Sequence, residues 1–244
     1  MRSVALANQK GGVGKTTTAV HLAHGLAIAG RKVALLDLDP QGNATVALQE
    51  MALDLESDGA LALLRPVTDN LWLLPSPGAE RAVDRFSGVD VTKLLQLARS
   101  LEEQGIEWLL VDCPPRMDQW GWAGLQLCGE VLVPVQPEFF AMHGLSQMLG
   151  TLETAQAQFP DKGQLLGVLV TLWDQREPVA KDVVADLRRN LGARMLETVI
   201  LRDSSLVEAA SYGKTVFEYR PYSKAALCYG ELVREVVHGG SSLG

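Results

Sequence analysis

The sequence predicts a doubly wound α/β fold with a mainly parallel sheet flanked by helices. Short, continuously apolar segments recur along the chain, segments of helical length separate them, and a glycine-rich loop follows the first apolar segment. Strands that are apolar throughout, rather than at alternate positions, indicate burial on both faces of a parallel sheet. This β-α-β alternation predicts a single domain over residues 1–238 and a short flexible tail at 239–244.

The predicted elements follow one another in a regular order. The first strand, residues 3–8, runs into the glycine loop, and a helix over about residues 16–28 ends before Gly30, a common helix stop. Helical spacing recurs between the later strands, for example at residues 91–104, 138–158 and 178–191. The later strands are predicted at residues 32–39, 70–76, 108–115, 130–136, 165–173 and 198–202.

Composition restricts the function classes. The net charge of −7 excludes a uniformly basic nucleic-acid binder, although not a local basic patch. Residues 46–136 carry 14 acidic and 6 basic side chains, whereas residues 176–224 carry 7 acidic and 9 basic ones. No apolar run reaches membrane-spanning length, and the N-terminus leads into the glycine loop without room for a signal peptide. A cytoplasmic protein is therefore expected.

The stretch NQKGGVGKTTT, residues 8–18, predicts a phosphate-binding loop between a strand and a helix. The strict pattern requires a glycine where Gln9 stands, yet the glycines that follow allow successive backbone N–H groups to point at phosphate oxygens. Lys15 is expected at the β- and γ-phosphates, Thr16 at Mg²⁺ and Thr17 at the α-phosphate. The predicted nucleotide loop comprises Gly11, Gly12, Val13, Gly14, Lys15, Thr16 and Thr17.

Carboxylates stand at the ends of two predicted strands. Asp37 and Asp39 end the second strand, where ligands bind in open α/β sheets, and Asp112 ends the apolar run WLLVD. Asp112 is predicted to hold Mg²⁺ through water, and Asp37 to support the same metal shell. The neighbouring Cys113 is not expected to be a ligand, because Mg²⁺ prefers oxygen.

The motif K-G-G-V-G-K-T-T resembles the deviant Walker A motif of the ParA/MinD superfamily, and the chain resembles the ParA/Soj-type partition ATPases in particular. This resemblance implies an ATPase that uses ATP and Mg²⁺ and hydrolyses ATP slowly. It implies that Lys10 crosses a dimer interface to the partner's phosphates, so that ATP joins two subunits. It also implies that Asp39 orients the attacking water, which makes Lys10, Lys15 and Asp39 the expected catalytic residues.

The resemblance extends over about residues 3–236, with departures at three positions. The family usually has proline where Leu201 stands and asparagine where Asp203 stands, so that Leu201 and Arg202 are expected near adenine by resemblance alone. Arg116 replaces a small residue after Pro114-Pro115, and its contact is open between nucleotide, facing subunit and solvent. Glu138 follows a strand end, where it either meets the other subunit or is a plain helix N-terminal acid.

Relatives without a DNA-reading domain bind DNA non-specifically as ATP dimers, through basic residues near the C-terminus. The resemblance implies this for Arg202, Lys214, Arg220 and Lys224, any of which could instead be a solvated surface cation. The expected partners are a second copy of the chain, DNA on the nucleoid, and a ParB-like or other activator with a basic segment. The C-terminal segment lacks the basic amphipathic helix of membrane-bound MinD relatives.

Two alternatives remain for the function. The same switch could position a non-DNA cargo, such as a protein organelle or a chemoreceptor cluster. A relative of the nitrogenase iron protein is disfavoured, because the surroundings of Cys113 and Cys128 do not match a cluster site. Three of the four histidines, His21, His24 and His143, are predicted to be packing or surface residues.

Overall fold

The structure is a computed structural model that describes residues 1–51, 61–76 and 90–239. Within these ranges, eight strands form one sheet in the order β3-β4-β2-β5-β1-β6-β7-β8. The strands are β1 (Arg2–Leu6), β2 (Val33–Asp37), β3 (Arg65–Thr68), β4 (Leu71–Leu74), β5 (Trp108–Asp112), β6 (Glu130–Val135), β7 (Gln164–Trp173) and β8 (Met195–Leu201). The predicted α/β fold is confirmed. Of the predicted tail, residues 239–244, Gly239 is the last residue of a helix that begins at Lys224, and residues 240–244 lie outside the described residues.

Helices cover both faces of the sheet. The helices are α1 (Lys15–Ile28), α2 (Asn43–Ala47), α3 (Val91–Glu103), α4 (Gln119–Leu127), α5 (Ala141–Gln158), α6 (Pro178–Leu191), α7 (Ser204–Ser211), α8 (Val216–Tyr219) and α9 (Lys224–Gly239). One core layer holds α3 to α6, and the other holds α1, α2 and α7 to α9. None of the helices in the described ranges is long and apolar enough to span a membrane.

The central strands divide their side chains between these two layers. In β1, Ala5 packs against the α3–α6 layer while Val4 and Leu6 pack against the layer that contains α1. Both layers are apolar, which explains why these strands carry no polar alternation.

The structure corrects the sequence prediction at one edge of the sheet. Strand β3 pairs antiparallel with β4, and no strand was predicted there. Its sequence, Arg-Pro-Val-Thr, is short and contains a proline, which suits an edge strand better than a central one. Several predicted strands also ended too late, because the residues after Leu6, Asp37 and Asp112 belong to the loops of the functional site.

Two buried histidines connect α1 to the segment before α8. The His21 Nδ1 donates to the Thr17 carbonyl (2.7 Å) and its Nε2 accepts from the Val216 N–H (3.1 Å). His24 Nδ1 hydrogen-bonds with Thr215 Oγ1 (2.7 Å). Burial lowers the pKa of both histidines to about 4. The predicted packing role of these two residues agrees with this arrangement.

We expect His21 to make the fold acid-sensitive. The unfolded chain takes up this proton near pH 6.5 and the folded chain only near pH 4, so stability is present above pH 6.5 and falls as the pH drops towards 4. In denaturant titrations without nucleotide, the stability gap between wild type and His21→Gln should shrink over this range by up to about 3 kcal/mol. A constant gap for His21→Gln over this pH range would contradict the assignment.

Candidate nucleotide-binding site

The carboxyl ends of three central strands meet at one edge of the sheet. Strand β5 lies between β1 and β2, and Asp112 is in register with Leu6 on one side and with Asp37 on the other. The glycine loop starts where β1 ends, and the chain then enters α1. This edge is where open α/β sheets bind their ligands, and the register brings the loop and both carboxylates together there.

The glycine loop has the backbone that a phosphate cradle requires. Gly12 (φ 75°) and Gly14 (φ 80°) adopt the left-handed conformation, and Gly14 is the N-cap of α1. Asn8 fixes the start of the loop, because its Oδ1 accepts from the Lys10 N–H (3.0 Å) and its Nδ2 donates to the Pro134 carbonyl (2.7 Å). The Thr171 hydroxyl donates to the Val13 carbonyl (2.8 Å) from β7. The sequence prediction did not include Asn8 and Thr171 in the site.

The two loop lysines have different environments. Lys15 is buried, and its Nζ donates to the Lys10 carbonyl (3.1 Å) across the loop. Burial lowers the pKa of Lys15, and the charge of Asp112 opposes this effect. Lys10 instead directs its ammonium out of its own loop, to the Glu138 carboxylate (2.5 Å). The loop therefore holds one cation inside the site and one outside it.

Asp112 is a buried carboxylate without a hydrogen-bond partner among the described residues. Both of its oxygens are inaccessible, and neither has a partner at hydrogen-bond geometry. Burial raises the pKa of Asp112 to about 8, although Thr16 and Lys15 lie close enough to oppose the shift. A buried carboxylate without a partner lowers the stability of the fold unless a metal ion or a hydrogen-bond donor binds it. Burial also raises the pKa of the adjacent Cys113 thiol, which disfavours a thiolate ligand.

Asp37 organises the loop that follows β2. Its Oδ2 accepts from the Thr45 N–H (2.8 Å) and hydroxyl (2.7 Å), and its Oδ1 accepts from the Asp39 N–H (3.2 Å). Burial raises the pKa of Asp37 to about 6 against these hydrogen bonds. The Ser76 hydroxyl donates to the Asp39 carbonyl (2.7 Å), which attaches the same loop to the end of β4. The sequence prediction did not include Thr45 and Ser76 in the site, although Thr45 lies only six residues after Asp39.

A cavity of about 630 Å³ opens over the glycine loop, a size that suits a nucleotide. Most of the predicted loop residues line it, and so does Asp39, whereas Leu201 and Arg202 do not. Part of its wall is formed instead by α7 and by Leu172 of β7. The lining residues are Gly11, Gly12, Gly14, Lys15, Thr16, Thr17, Val20, His21, Asp39, Gln41, Asn43, Val46, Ala47, Pro115, Leu172, Leu206, Ala210 and Lys214.

Three of the four predicted DNA-binding residues surround a second cavity of about 660 Å³. Arg202, Arg220 and Lys224 line this basic cavity at the N-termini of α7 and α9. Asp203 joins these two helices, because it accepts from the Ser205 N–H (2.9 Å) and from the Ala225 N–H (3.1 Å). Lys214 is not part of the basic cavity.

The surface beside Lys10 is apolar. Phe139 and Phe140 follow Glu138 at the start of α5, and they are 79% and 69% exposed. Their rings pack edge to face with centroids 5.0 Å apart. Contiguous exposed aromatic side chains are typical of interaction surfaces rather than of solvated ones. Arg116 is exposed. This position does not distinguish between the three predicted contacts of Arg116, which are with nucleotide, with a facing subunit and with solvent.

Comparison with known proteins identifies the family. The family described as AAA domain matches residues 1–165. The chain is 40% identical over 243 residues to the chromosome-partitioning ATPase Soj of Thermus thermophilus, covering 97% of this chain and 96% of the relative. It is 34% identical over 252 residues to the chromosome partitioning protein ParA of Caulobacter vibrioides, covering 97% of this chain and 94% of the relative.

Solved structures agree with the fold. Cobyrinic acid a,c-diamide synthase of Mycobacterium smegmatis, with a bound ATP analogue and magnesium, has a TM-score of 0.75 and 31% identity over 99% of this chain and 96% of that chain. MinD of Pyrococcus horikoshii, complexed with Mg-ADP, has a TM-score of 0.72 at 23% identity, over 98% and 97% of the two chains, which supports the fold alone. Fold and loop thus define a P-loop ATPase with a two-lysine loop. Within that class, the chain belongs to the Soj/ParA family.

The residues present fit ATP and Mg²⁺. The left-handed glycines, the first turn of α1 and Lys15 form an anion site, and the orphaned Asp112 carboxylate lies behind Thr16. Magnesium in such sites is held by one or two carboxylates together with phosphate oxygens and water. Asp112 is free for this role, whereas Asp37 already accepts hydrogen bonds at both of its oxygens. The assignment of Asp37 to the metal shell stays a prediction.

We expect Asp112→Asn to uncouple nucleotide binding from magnesium. In thermal unfolding assays, wild-type protein should gain more stability from ATP with Mg²⁺ than from ATP with EDTA, whereas Asp112→Asn should respond equally to both. Without ligand the variant should be at least as stable as wild type, because it lacks a buried carboxylate with no partner. Asp186→Asn, on exposed α6, should behave as wild type; a full magnesium response in Asp112→Asn would contradict the proposed role.

Proposed function

We propose that this protein is a ParA-type switch in which two chains join face to face around ATP, bind DNA without sequence preference, and separate after hydrolysis. The observation that carries the proposal is the pair of loop lysines with opposite orientations. Lys15 belongs to the site of its own chain, while Lys10 points away from it towards the exposed start of α5. A cation so directed can reach a nucleotide held by a second copy.

The surroundings of Lys10 support an interface between two copies. Phe139 and Phe140 are exposed directly beside the Lys10–Glu138 ion pair. An apolar patch next to a nucleotide site would be covered when the sites of two chains face each other. In a dimer, the phosphates of the partner's nucleotide would compete with Glu138 for the Lys10 ammonium. Glu138 would therefore oppose the contact of Lys10 with a partner.

The hydrolysis step follows from the same site. Lys15 and the loop N–H groups would hold and neutralise the phosphates, and bound Mg²⁺ would supply charge stabilisation on the transferred phosphoryl group. Asp39 lines the cavity, and its backbone is fixed by the Ser76 hydroxyl, so its carboxylate is held where it could orient an attacking water. Catalysis of this kind depends on positioning and charge rather than on covalent chemistry.

DNA binding is supported by the basic cavity. Arg202, Arg220 and Lys224 converge there although the whole chain is acidic, and a dimer would present the cavity twice. The proposed cargo is a chromosomal or plasmid centromere complex on the nucleoid, since the Thermus relative at 40% identity is a chromosome-partitioning ATPase. A ParB-like protein, or another activator with a basic segment, would stimulate hydrolysis and reset the switch.

Glu138→Gln should lower the ATP concentration needed for dimerisation. The Lys10–Glu138 pair is partly exposed, and pairs of this kind contribute roughly 0.2–1 kcal/mol, which corresponds to a shift of up to about fivefold per subunit. Light scattering or analytical ultracentrifugation across an ATP series measures it, and Lys10→Ala should remain monomeric at all ATP concentrations. A Glu138→Gln variant that needs more ATP would instead indicate a contact of Glu138 across the interface.

Arg202→Ala combined with Lys224→Ala should weaken DNA retention of the ATP-bound protein and leave its ATP affinity unchanged. Each lost phosphate contact reduces the salt dependence, so the slope of log affinity against log salt should fall by about one per contact. DNA retention on an immobilised non-specific duplex across a salt series measures both quantities. The matched control is Arg188→Ala with Lys181→Ala on exposed α6; an unchanged slope in the basic-cavity variant would contradict the proposal.

A further inference from the structure

One wall of the nucleotide cavity is apolar. Leu206 and Ala210 lie one helical turn apart on α7, and Leu172 joins them from the end of β7, which together make an apolar wall. Leu172 has a φ of 53°, the only non-glycine residue with a positive φ in the described part of the chain. A leucine is retained in this conformation only where its surroundings hold it there. The surrounding structure therefore fixes the conformation of Leu172 in this wall.

Lys214 lines the same cavity and adds a cation to it. The turn after α7 fixes its position, because the Gly213 N–H donates to the Ala210 carbonyl and the Lys214 N–H donates to the Ala209 carbonyl, both at 3.0 Å. This pair of hydrogen bonds is the Schellman arrangement that ends many helices, with Gly213 in the left-handed conformation (φ 60°).

The residues after Lys214 attach it to α1. Thr215 hydrogen-bonds with His24, and the Val216 N–H donates to His21. His21 lies six residues after Lys15, which corresponds to about 9 Å along the helix axis. The main chain of Lys214 is thus held beside the second turn of α1, away from the phosphate loop and close to the apolar wall.

The charge of Lys214 is available for a ligand. Glu218 lies near enough to sense this charge, but no carboxylate in residues 1–51, 61–76 and 90–239 is within ion-pair distance of Lys214. Arg220, by contrast, pairs with Glu208 (3.0 Å) in the other group of cations. Lys214 and Lys15 are the two lysines that line the nucleotide cavity.

We propose that Lys214 binds the nucleoside end of ATP, and that it is not part of the DNA-binding surface. The apolar wall would pack against the face of the base, while the Lys214 ammonium donates to an acceptor on the base or ribose. This inference rests on the proposed function, since it assumes that the cavity holds ATP. It assigns different ligands to Lys214 and to the three cations of the basic cavity.

Calorimetric titration with Mg-ATP and with Mg-ADP tests the proposal. Lys214→Ala should weaken both nucleotides by the same factor, about tenfold, because a hydrogen bond from a charged group is lost at a part common to both ligands. Lys214→Met keeps most of the apolar stem and should show the same loss, which separates charge from packing. Lys181→Ala is the matched control, and thermal unfolding without ligand checks that each variant is folded.

The outcomes separate this inference from the proposed function. Wild-type protein that fails to bind ATP would overturn the proposed function itself. If wild type binds but both Lys214 variants bind equally well, only the role of Lys214 is overturned. A larger loss for ATP than for ADP would place Lys214 at the terminal phosphate and contradict the nucleoside assignment. At saturating ATP, DNA retention of Lys214→Met should equal that of wild type, and a loss of retention would assign Lys214 to DNA.

Discussion

The alignment of three strand ends is the constraint on which the rest of the site depends. Because Leu6, Asp112 and Asp37 are level across β1, β5 and β2, the glycine loop begins beside one carboxylate and one strand away from another. The two carboxylates differ in their surroundings. Asp37 accepts hydrogen bonds that shape the next loop, while Asp112 has no hydrogen-bond partner among the described residues. The same register thus places one carboxylate that is already hydrogen-bonded beside one that is not.

Both lysines of the loop have partners within the chain. The Lys15 ammonium donates to the Lys10 carbonyl, and the Lys10 ammonium is paired with Glu138. Phosphate oxygens that contact these ammonium groups would compete with both internal partners. The carbonyl that accepts from Lys15 belongs to Lys10, so the two contacts are linked within five residues of backbone. The buried Lys15 ammonium is therefore not left without a hydrogen-bond acceptor.

The parts of the site that sequence could predict are local. The glycines, Lys15 and Thr16 lie next to one another in the chain, and apolar strands followed by aspartates indicate the carboxylates without knowledge of the fold. Contacts between distant segments could not be predicted, because nothing in the spacing of Thr45 and Ser76, or of Asn8 and Pro134, shows that they meet. The antiparallel edge strand β3 was missed for a related reason, since its four residues carry no periodicity that distinguishes them from a loop.

The same limit applies to the basic residues, because their proximity in sequence does not show which cavity each of them lines. Lys214 and Arg220 are six residues apart, yet they line different cavities, and helix α7 lies between the two. Ser204 and Ser205 of α7 line the basic cavity, and Leu206 and Ala210 of the same helix line the nucleotide cavity. Helix α7 has eight residues, and Asp203 connects its start to α9, so a displacement of α7 at one cavity would also move residues that line the other. If the cavities bind ATP and DNA, and both ligands favour the same position of α7, each would strengthen the binding of the other to the same extent, since coupling between two binding equilibria is reciprocal.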